Sequence, residues 1–264
     1  MSECVVSLPM YDWPELQTYN NKFFKVLSQS FSHQGYKAPN ALDRTRDRMD
    51  VWLDKNLLLS QTCGLPFKTL LKNKVSLVGT PAYGLNCGAG SYYSVIIVHQ
   101  DSQLKKLEDL KNKTFAYNEK GSQSGYAALL YTLSVIKDAP QFFTSSFQSG
   151  SHRQSIQAVA EGKADFAAID ALSWELALRH EPTAQKLRII AVSEPTPTLP
   201  FITALRSPRE LDKLHMAVVD AMVALDEETR EALLFIGFAP MQVSDYQVIE
   251  DRLYAIQETY GLDY

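Results

Sequence analysis

The sequence predicts an α/β fold in which a mostly parallel sheet is covered by helices on both faces. Short apolar runs that end in polar or small residues alternate with helix-period segments between Tyr92 and Val192, and this alternation is typical of parallel strands joined by helical crossovers. The chain has 264 residues, of which 45% are hydrophobic and 21% charged, so it can bury one large core or two smaller ones. Disorder and low complexity are excluded.

The N-terminal segment predicts a first strand followed by a helix. The apolar run 4–8 is typical of a buried strand that stops at Pro9, so Tyr11 comes just after a strand end. Pro14 lies in the first turn of a helix that ends near Gly35. Two further strands end in turns that contain glycine and proline, and they cover 56–60 and 74–78.

The middle of the chain shows the clearest alternation of strands and helices. The predicted strands are 92–99, 114–118, 145–148, 164–169 and 187–192. The predicted helices between them are 103–110, 125–136, 154–161 and 172–179. Three prolines between Glu194 and Pro200 then predict a linker, and a strand at 201–205 precedes three helical stretches that run to the C-terminus.

Charge and composition exclude several classes of partner. The net charge is −4, so there is no overall positive field, and we expect neither nucleic acid nor an anionic membrane surface as a partner. The longest apolar stretch, Tyr92 to Val98, is far too short to cross a bilayer, so we expect no membrane insertion. The five histidines and three cysteines show no metal-ligand spacing. We therefore expect no metal and no cofactor.

The segment TFAYNEKGSQSGY at 114–126 joins a strand, a turn of small residues and the start of a helix. Unpaired N–H groups at a helix start favour an anion, and the hydroxyls of Ser122 and Ser124 would point to the same place. The alternative is an ordinary helix start capped by one of these serines. Gln123 stands where a nucleophile elbow needs serine, and no lysine follows Gly125 as a phosphate-binding P-loop requires. Nucleotide binding is therefore not predicted.

Two more polar residues open helices that follow strands. His152 comes after Gly150-Ser151, where it can donate to an oxyanion together with helix N–H groups. The alternative is that Ser151 caps the helix and His152 lies at the surface. Asp170 follows the apolar run 164–169, so it is either a helix cap or a carboxylate that recognises a cation or a hydroxyl in a cleft.

Three residues of the first part of the chain follow strands at comparable edges. They are Tyr11, Gln61 and Tyr83. A tyrosine offers a flat apolar face with a polar tip, which suits a wet cleft. Each of the three is individually weak as a site candidate, because most tyrosines in a chain belong to the core or the surface.

Several segments resemble, in order, the phosphate/phosphite/phosphonate-type substrate-binding proteins of ABC transporters. The segments are LPMYD, LLLSQTCG, TPAY, YYSVIIV, DLKNKTFAYNEKGSQSGY and GSHRQSIQAVAEGKADFAAIDALSWE. The most specific parts are D-L-K-x-K-T running into G-S-x-S-G-Y, and S-H…A-V-x-x-G-x-A-D…A-I-D. The resemblance covers nearly the whole chain.

The resemblance implies the two-lobed fold of type II periplasmic binding proteins, in which a ligand is held in a cleft and the lobes close by hinge motion. It implies a discontinuous lobe 1 at 1–97 and 196–264, and a lobe 2 at 98–195. Two crossover strands join the lobes, and the linker at 194–200 becomes the return crossover.

The resemblance also assigns roles to the candidate residues. It implies that an oxyanion is held by Ser122, Gln123, Ser124 and His152, while Tyr11, Gln61 and Tyr83 close over the ligand. Asp170 would face the other end of the ligand, which suits an amine or a hydroxyl there. Family members usually carry a small hydroxyl residue at the position of Gln123, so this difference could change the ligand.

The leading hypothesis is a monomeric, non-catalytic solute-binding protein that captures a small oxyanion-bearing ligand, phosphonate-like or phosphate-like, for an ABC permease. One alternative is a cytoplasmic enzyme on the same scaffold, of the chorismate-dehydratase type; another is a ligand sensor. A catalytic triad of Ser124, His152 and Asp170 is disfavoured, because this chain order matches none of the familiar triads.

The N-terminal residues and the cysteines bear on the compartment. The first 15 residues contain no lysine or arginine and only a short apolar run, so they lack the features of a signal peptide. We therefore expect a cytoplasmic location as written, and a periplasmic one if a leader was removed. Cys63 and Cys87 both fall next to the expected cleft of lobe 1, and a disulfide between them is a hypothesis for a periplasmic protein.

Overall fold

The computed structural model describes residues 4–136 and 143–262, which form two compact units. Unit 1 takes its described residues from Met1–Ser91 and Pro197–Tyr246, and unit 2 takes them from Tyr92–Thr196 and Gln247–Tyr264. The parts of the expected lobes at 1–3, 137–142 and 263–264 lie outside the described residues.

The described secondary structure follows the alternation along the chain. The strands are β1 Val5–Ser7, β2 Leu57–Gln61, β3 Val75–Tyr83, β4 Ser91–Tyr92, β5 Ser94–His99, β6 Lys113–Tyr117, β7 Phe143–Gln148, β8 Phe166–Asp170, β9 Leu187–Val192, β10 Thr196–Pro197, β11 Phe201–Ala204 and β12 Phe235–Ala239. The α-helices are α1 Gln17–His33, α2 Arg48–Trp52, α3 Gly64–Lys68, α4 Ala128–Ser134, α5 His152–Ala160, α6 Ala171–His180, α7 Pro208–Ala224, α8 Glu227–Ala232 and α9 Gln247–Tyr260. A π-helix, Gln123–Ala127, leads directly into α4.

Unit 1 is built on a five-stranded sheet in the order β1-β2-β11-β3-β12. Strands β1 and β2 are parallel, whereas β11 and β12 run antiparallel to their neighbours. Helices α1 and α7 pack together, and Phe23 of α1 is fully buried, with its ring 5.2 Å from that of Phe235. Burial of such aromatic rings supplies much of the apolar area that stabilises a core.

Unit 2 is built on a second five-stranded sheet in the order β7-β6-β8-β5-β9. Strand β6 is parallel to both β7 and β8, while β5 is antiparallel to β8 and β9. Because the carboxyl ends of parallel strands meet at one edge of a sheet, the three helices that follow β6, β7 and β8 begin side by side. Two hydrogen bonds join the first two of these loops: Ser149 N–H donates to Tyr117 O at 2.7 Å, and Gly150 N–H donates to Asn118 O at 3.0 Å.

The strand pairing is more mixed than the alternation of strands and helices indicates. Strands β5 and β11 lie next to the passages between the units, and both run antiparallel to their neighbours. Strand β12 falls in the stretch expected to be helical, because its apolar residues are too few to distinguish a strand from a helix. The helix expected at 103–110 is a 3-10 helix over Leu107–Leu110, because the Asp109 carboxylate accepts the N–H groups of Lys105 and Lys106 and fixes the helix start there.

The C-terminal helix α9 packs in unit 2, although its residues belong to the expected range of lobe 1. Its Tyr260 hydroxyl donates to Leu130 O of α4 at 3.1 Å, and the Arg252 guanidinium lies 4.9 Å from the centre of the Tyr131 ring. The chain therefore passes between the units a third time, after Tyr246. Helical periodicity identifies the buried face of an amphipathic helix but not the surface that covers it.

Cys4, Cys63 and Cys87 form no disulfide in the described residues. The Cys87 thiol donates to the carbonyl oxygen of Ser91 at 3.1 Å, and burial raises its pKa. The structure therefore does not contain the disulfide hypothesised between Cys63 and Cys87, since the Cys87 sulfur is engaged with its own loop instead.

Candidate functional site

The turn after β6 places the serine-rich segment at the start of a helix. Ser122 is the N-cap of the π-helix, and its Oγ accepts the N–H of Gly125 at 2.9 Å. Gln123 and Ser124 follow and are 2% and 4% exposed. Single turns of π-helix inside α-helices are frequent at functional sites. The capping alternative is thus correct for Ser122, whereas Ser124 has a different partner.

His152 is the first residue of α5, and it contacts the serine-rich turn directly. Its Nε2 lies 2.9 Å from Ser124 Oγ. Ser151 caps the helix by accepting the N–H of Gln154 at 3.1 Å, so the expected cap is confirmed. The alternative position of His152 at the surface is wrong, because its ring contacts Ser124. Burial lowers the pKa of His152, while the carboxylates of Asp170 and Glu119 and the nearby carbonyl of Ala168 act in the opposite direction. The neutral imidazole is therefore the main form at pH 7.

Asp170 ends β8 and caps α6. It is 2% exposed, and its Oδ1 accepts the N–H of Ser173 at 2.9 Å. It lies opposite Ser94 in the antiparallel pairing of β5 with β8. Its charge raises the pKa of His152, which places the carboxylate within electrostatic reach of the imidazole.

Two supporting residues of this region have no signal in the sequence. Ser94 Oγ donates to the backbone carbonyl of Ser124 at 2.9 Å, which fixes the serine-rich turn to strand β5. Asn118, immediately after β6, packs against Gly125, and a Cβ at position 125 would lie 2.0 Å from Asn118 Oδ1 and 3.0 Å from His152 Cε1. Only glycine lets these three segments approach so closely.

We name Ser122, Gln123, Ser124, His152 and Asp170 the helix-start cluster. It brings hydroxyl, amide and imidazole groups to the N-termini of three neighbouring helices, an arrangement that suits an anion. It does not form a catalytic triad, because within the described residues no carboxylate is hydrogen-bonded to His152 Nδ1, as a triad requires.

The three candidates of unit 1 also lie together. The rings of Tyr11 and Tyr83 are 5.8 Å apart at an angle of 74°, and the Gln61 amide donates to the Tyr83 hydroxyl at 3.0 Å and to Leu199 O at 3.1 Å. All three line one pocket of unit 1, and all are buried. The remaining side chains around this pocket are mostly apolar: Leu8, Asn20, Phe23, Phe201, Leu233 and Phe235.

In the described residues, polar groups gather at neighbouring helix starts of an α/β unit, an arrangement that suits the binding of a small anionic solute. A family model described as ABC transporter, phosphonate, periplasmic substrate-binding protein matches residues 63–246. The chain belongs to this family, and the resemblance drawn from the sequence is confirmed.

Solved structures of low sequence identity share the fold. The binding-protein component of an ABC phosphonate transporter from Pseudomonas aeruginosa (PA3383) is 17% identical, with a TM-score of 0.74 over 98% of this chain and 88% of that chain. PhnD1 from Prochlorococcus marinus, in complex with methylphosphonate, is 18% identical, with a TM-score of 0.73 over 97% and 98%. XAC2383 from Xanthomonas citri, bound to ATP, is 14% identical, with a TM-score of 0.71 over 98% and 99%. The predicted two-lobed α/β fold is confirmed.

Family membership also decides between the classes of function. The protein is a substrate-binding protein of the phosphonate type that works with ABC transporters, and not an enzyme of the chorismate-dehydratase type. Its partners are a small-molecule ligand and an ABC transporter. In the part of the chain that the structure describes, no helix has the length and apolar character needed to span a bilayer.

Proposed function

We propose that the helix-start cluster holds the oxyanion group of a phosphonate, and that the protein works as a monomer that delivers this ligand to an ABC permease. The observation that carries the proposal is the contact of 2.9 Å between Ser124 Oγ and His152 Nε2, made where the helices after β6, β7 and β8 begin. This contact brings two polar side chains from separate helices to one point.

The donors at this point match the chemistry of a phosphonate group. A phosphonate presents several acceptor oxygens around one atom, and charge-assisted hydrogen bonds to such oxygens are about twice as strong as neutral ones. The Ser124 hydroxyl, the His152 imidazole and the N–H groups of the turn at Gln123 and Ser124 supply donors, and the helix dipoles favour the negative charge. The neutral imidazole has one N–H to give, so a positive charge on His152 is not required.

Asp170 is proposed to face the other end of the ligand. Its buried carboxylate repels a second anionic group, but it attracts an amine or accepts from a hydroxyl. This favours small phosphonates whose non-phosphonate end is neutral or positive.

Tyr11, Gln61 and Tyr83 of unit 1 are proposed to take part in ligand binding, as the resemblance to the family implies. Tyr11 and Tyr83 pack edge to face, and Gln61 holds the Tyr83 hydroxyl in place. Gln123 is proposed to select among ligands, because an amide is larger than the hydroxyl side chain usual at this position of the family.

The test is titration calorimetry on protein that has been unfolded, dialysed and refolded to remove any bound solute. Methylphosphonate, 2-aminoethylphosphonate and inorganic phosphate are compared with sulfate and acetate. We expect at least one phosphonate to bind with a Kd near or below about 1 µM, which corresponds to about 8 kcal/mol. Equal and weak binding of all five anions would overturn the proposal.

A further inference from the structure

We propose that Arg153 and Glu181 form a positioning pair that fixes the direction of the His152 imidazole, although neither residue belongs to the helix-start cluster. The proposal rests on the proposed function, since it treats His152 as a ligand-binding residue. It adds the Arg153–Glu181 ion pair to the contacts on which phosphonate affinity depends, although this pair does not touch the phosphonate.

Glu181 is a buried carboxylate with a full set of donors. It is 5% exposed. Its Oε2 accepts from Arg153 Nε at 2.8 Å and from Gln157 Nε2 at 2.9 Å, and its Oε1 accepts from the Thr183 hydroxyl at 2.7 Å. These hydrogen bonds hold the pKa of Glu181 to about 2 despite burial, so the pair is ionised at neutral pH.

Arg153 connects α5, which begins with His152, to α6, which is capped by Asp170. It follows His152 directly in α5, and besides Glu181 it donates to the carbonyl oxygen of His180, the last residue of α6, at 3.1 Å. Gln157, one turn further along α5, reaches the same carboxylate. Arg153 and Gln157 of α5 therefore both donate to the Glu181 carboxylate, which follows α6 directly. These hydrogen bonds limit rotation and sliding of α5.

This constraint matters for binding because a hydrogen-bond donor must point at its acceptor. His152 begins α5, so a small rotation of the helix moves its Nε2 away from Ser124 and from the phosphonate oxygen that it is proposed to bind. Displacements of about 1 Å at a functional group can cost up to about a hundredfold in function. A buried ion pair gives little net stability and is costly to break, which fits a role in orientation.

The test uses three variants of the full chain and one matched control. Arg153→Met removes the pair, and Glu181→Gln weakens it while Arg153 stays. Arg153→Lys keeps the charge but loses the planar guanidinium that donates to both Glu181 and the His180 carbonyl oxygen. The control is Lys163→Met, which removes one positive charge from an exposed pair with Glu161 in the same unit. Methylphosphonate affinity is measured by calorimetry, and the His152 ring is observed by NMR without ligand, with His152→Ala used to assign its signals.

We expect Arg153→Met and Glu181→Gln each to weaken methylphosphonate binding by about tenfold and to shift the His152 ring signals, with Arg153→Lys between them and the wild type. Lys163→Met should change neither. If Arg153 instead bound the ligand directly, Glu181→Gln would free it and leave affinity equal or higher, which would overturn the positioning role. If Arg153→Met does not fold, the other two variants decide.

The NMR readout separates this proposal from the proposed function. If the wild type binds no phosphonate, or if His152→Ala binds as well as the wild type, the proposed function fails. Unchanged His152 signals in both Glu181→Gln and Arg153→Lys overturn the positioning pair, whether or not a phosphonate binds.

Discussion

Replacing His152 with alanine is expected to weaken methylphosphonate binding at least about a hundredfold. The imidazole is one of two side chains that meet at the proposed oxyanion position, and it lies 2.9 Å from the other, Ser124. Each charge-assisted hydrogen bond is worth about 1.5–3 kcal/mol, and the loss of His152 also leaves the Ser124 hydroxyl without its partner. Ser124→Ala should follow with a loss of about tenfold or more.

The measurement is titration calorimetry with methylphosphonate, accompanied by circular dichroism to confirm folding. The matched control is His33→Ala, which removes an exposed histidine from the end of α1 in unit 1 and should leave the Kd within about twofold of wild type. If His152→Ala and His33→Ala bind methylphosphonate equally well, the helix-start cluster is not the site.

Replacing Gly125 with alanine is expected to abolish most phosphonate binding, because the added methyl group would displace the His152 ring. The added Cβ would lie 2.0 Å from Asn118 Oδ1 and 3.0 Å from His152 Cε1, so both side chains must move. Asn118 can turn its amide away at modest expense, whereas a shift of the His152 ring disturbs its contact with Ser124. We expect an affinity loss of about thirtyfold or more with a stability loss of about 1–3 kcal/mol.

Gly121 provides the control for this substitution within the same loop. A Cβ at Gly121 would meet no atom within 4 Å, so Gly121→Ala should bind methylphosphonate like the wild type. Urea denaturation gives the stability of both variants and calorimetry gives their affinities. Wild-type affinity in Gly125→Ala would show that the Asn118–Gly125–His152 contact plays no part in binding.

The positions of the candidate residues of unit 2 could be predicted because each follows a strand. Ser124 and His152 come after β6 and β7, and Asp170 ends β8; parallel pairing brings the ends of these strands to one edge. Strand ends are marked in the sequence by the change from apolar to small or polar residues. The location of the cluster is therefore a consequence of local pattern and one topological rule.

The supporting contacts could not be predicted, because they join residues whose sequence neighbours give no sign of a role. Asn118 meets Gly125 through close packing, and Ser94 reaches the Ser124 carbonyl from a different strand. Arg153 and Glu181 are 28 residues apart and look like ordinary surface charges in the sequence. Only the arrangement of α5 and α6 reveals that one carboxylate holds both helices.

The lack of a local signal for long-range contacts also explains where the fold departs from its prediction. The apolar face of α9 is evident from the period of Ile249, Leu253 and Ile256, but nothing in that period tells which unit covers it. The apolar run of β12 is only five residues long, and a strand or a short buried helix fits it equally well. Both differences arise from long-range packing, which the local sequence pattern does not contain.

A crystal structure of the protein grown with methylphosphonate tests the central claim most directly. We predict density for the phosphonate with its oxygens within hydrogen-bond distance of Ser124 Oγ, His152 Nε2 and the backbone N–H groups of the turn that follows Ser122. A phosphonate bound elsewhere, or an empty helix-start cluster in crystals that contain millimolar methylphosphonate, would contradict it.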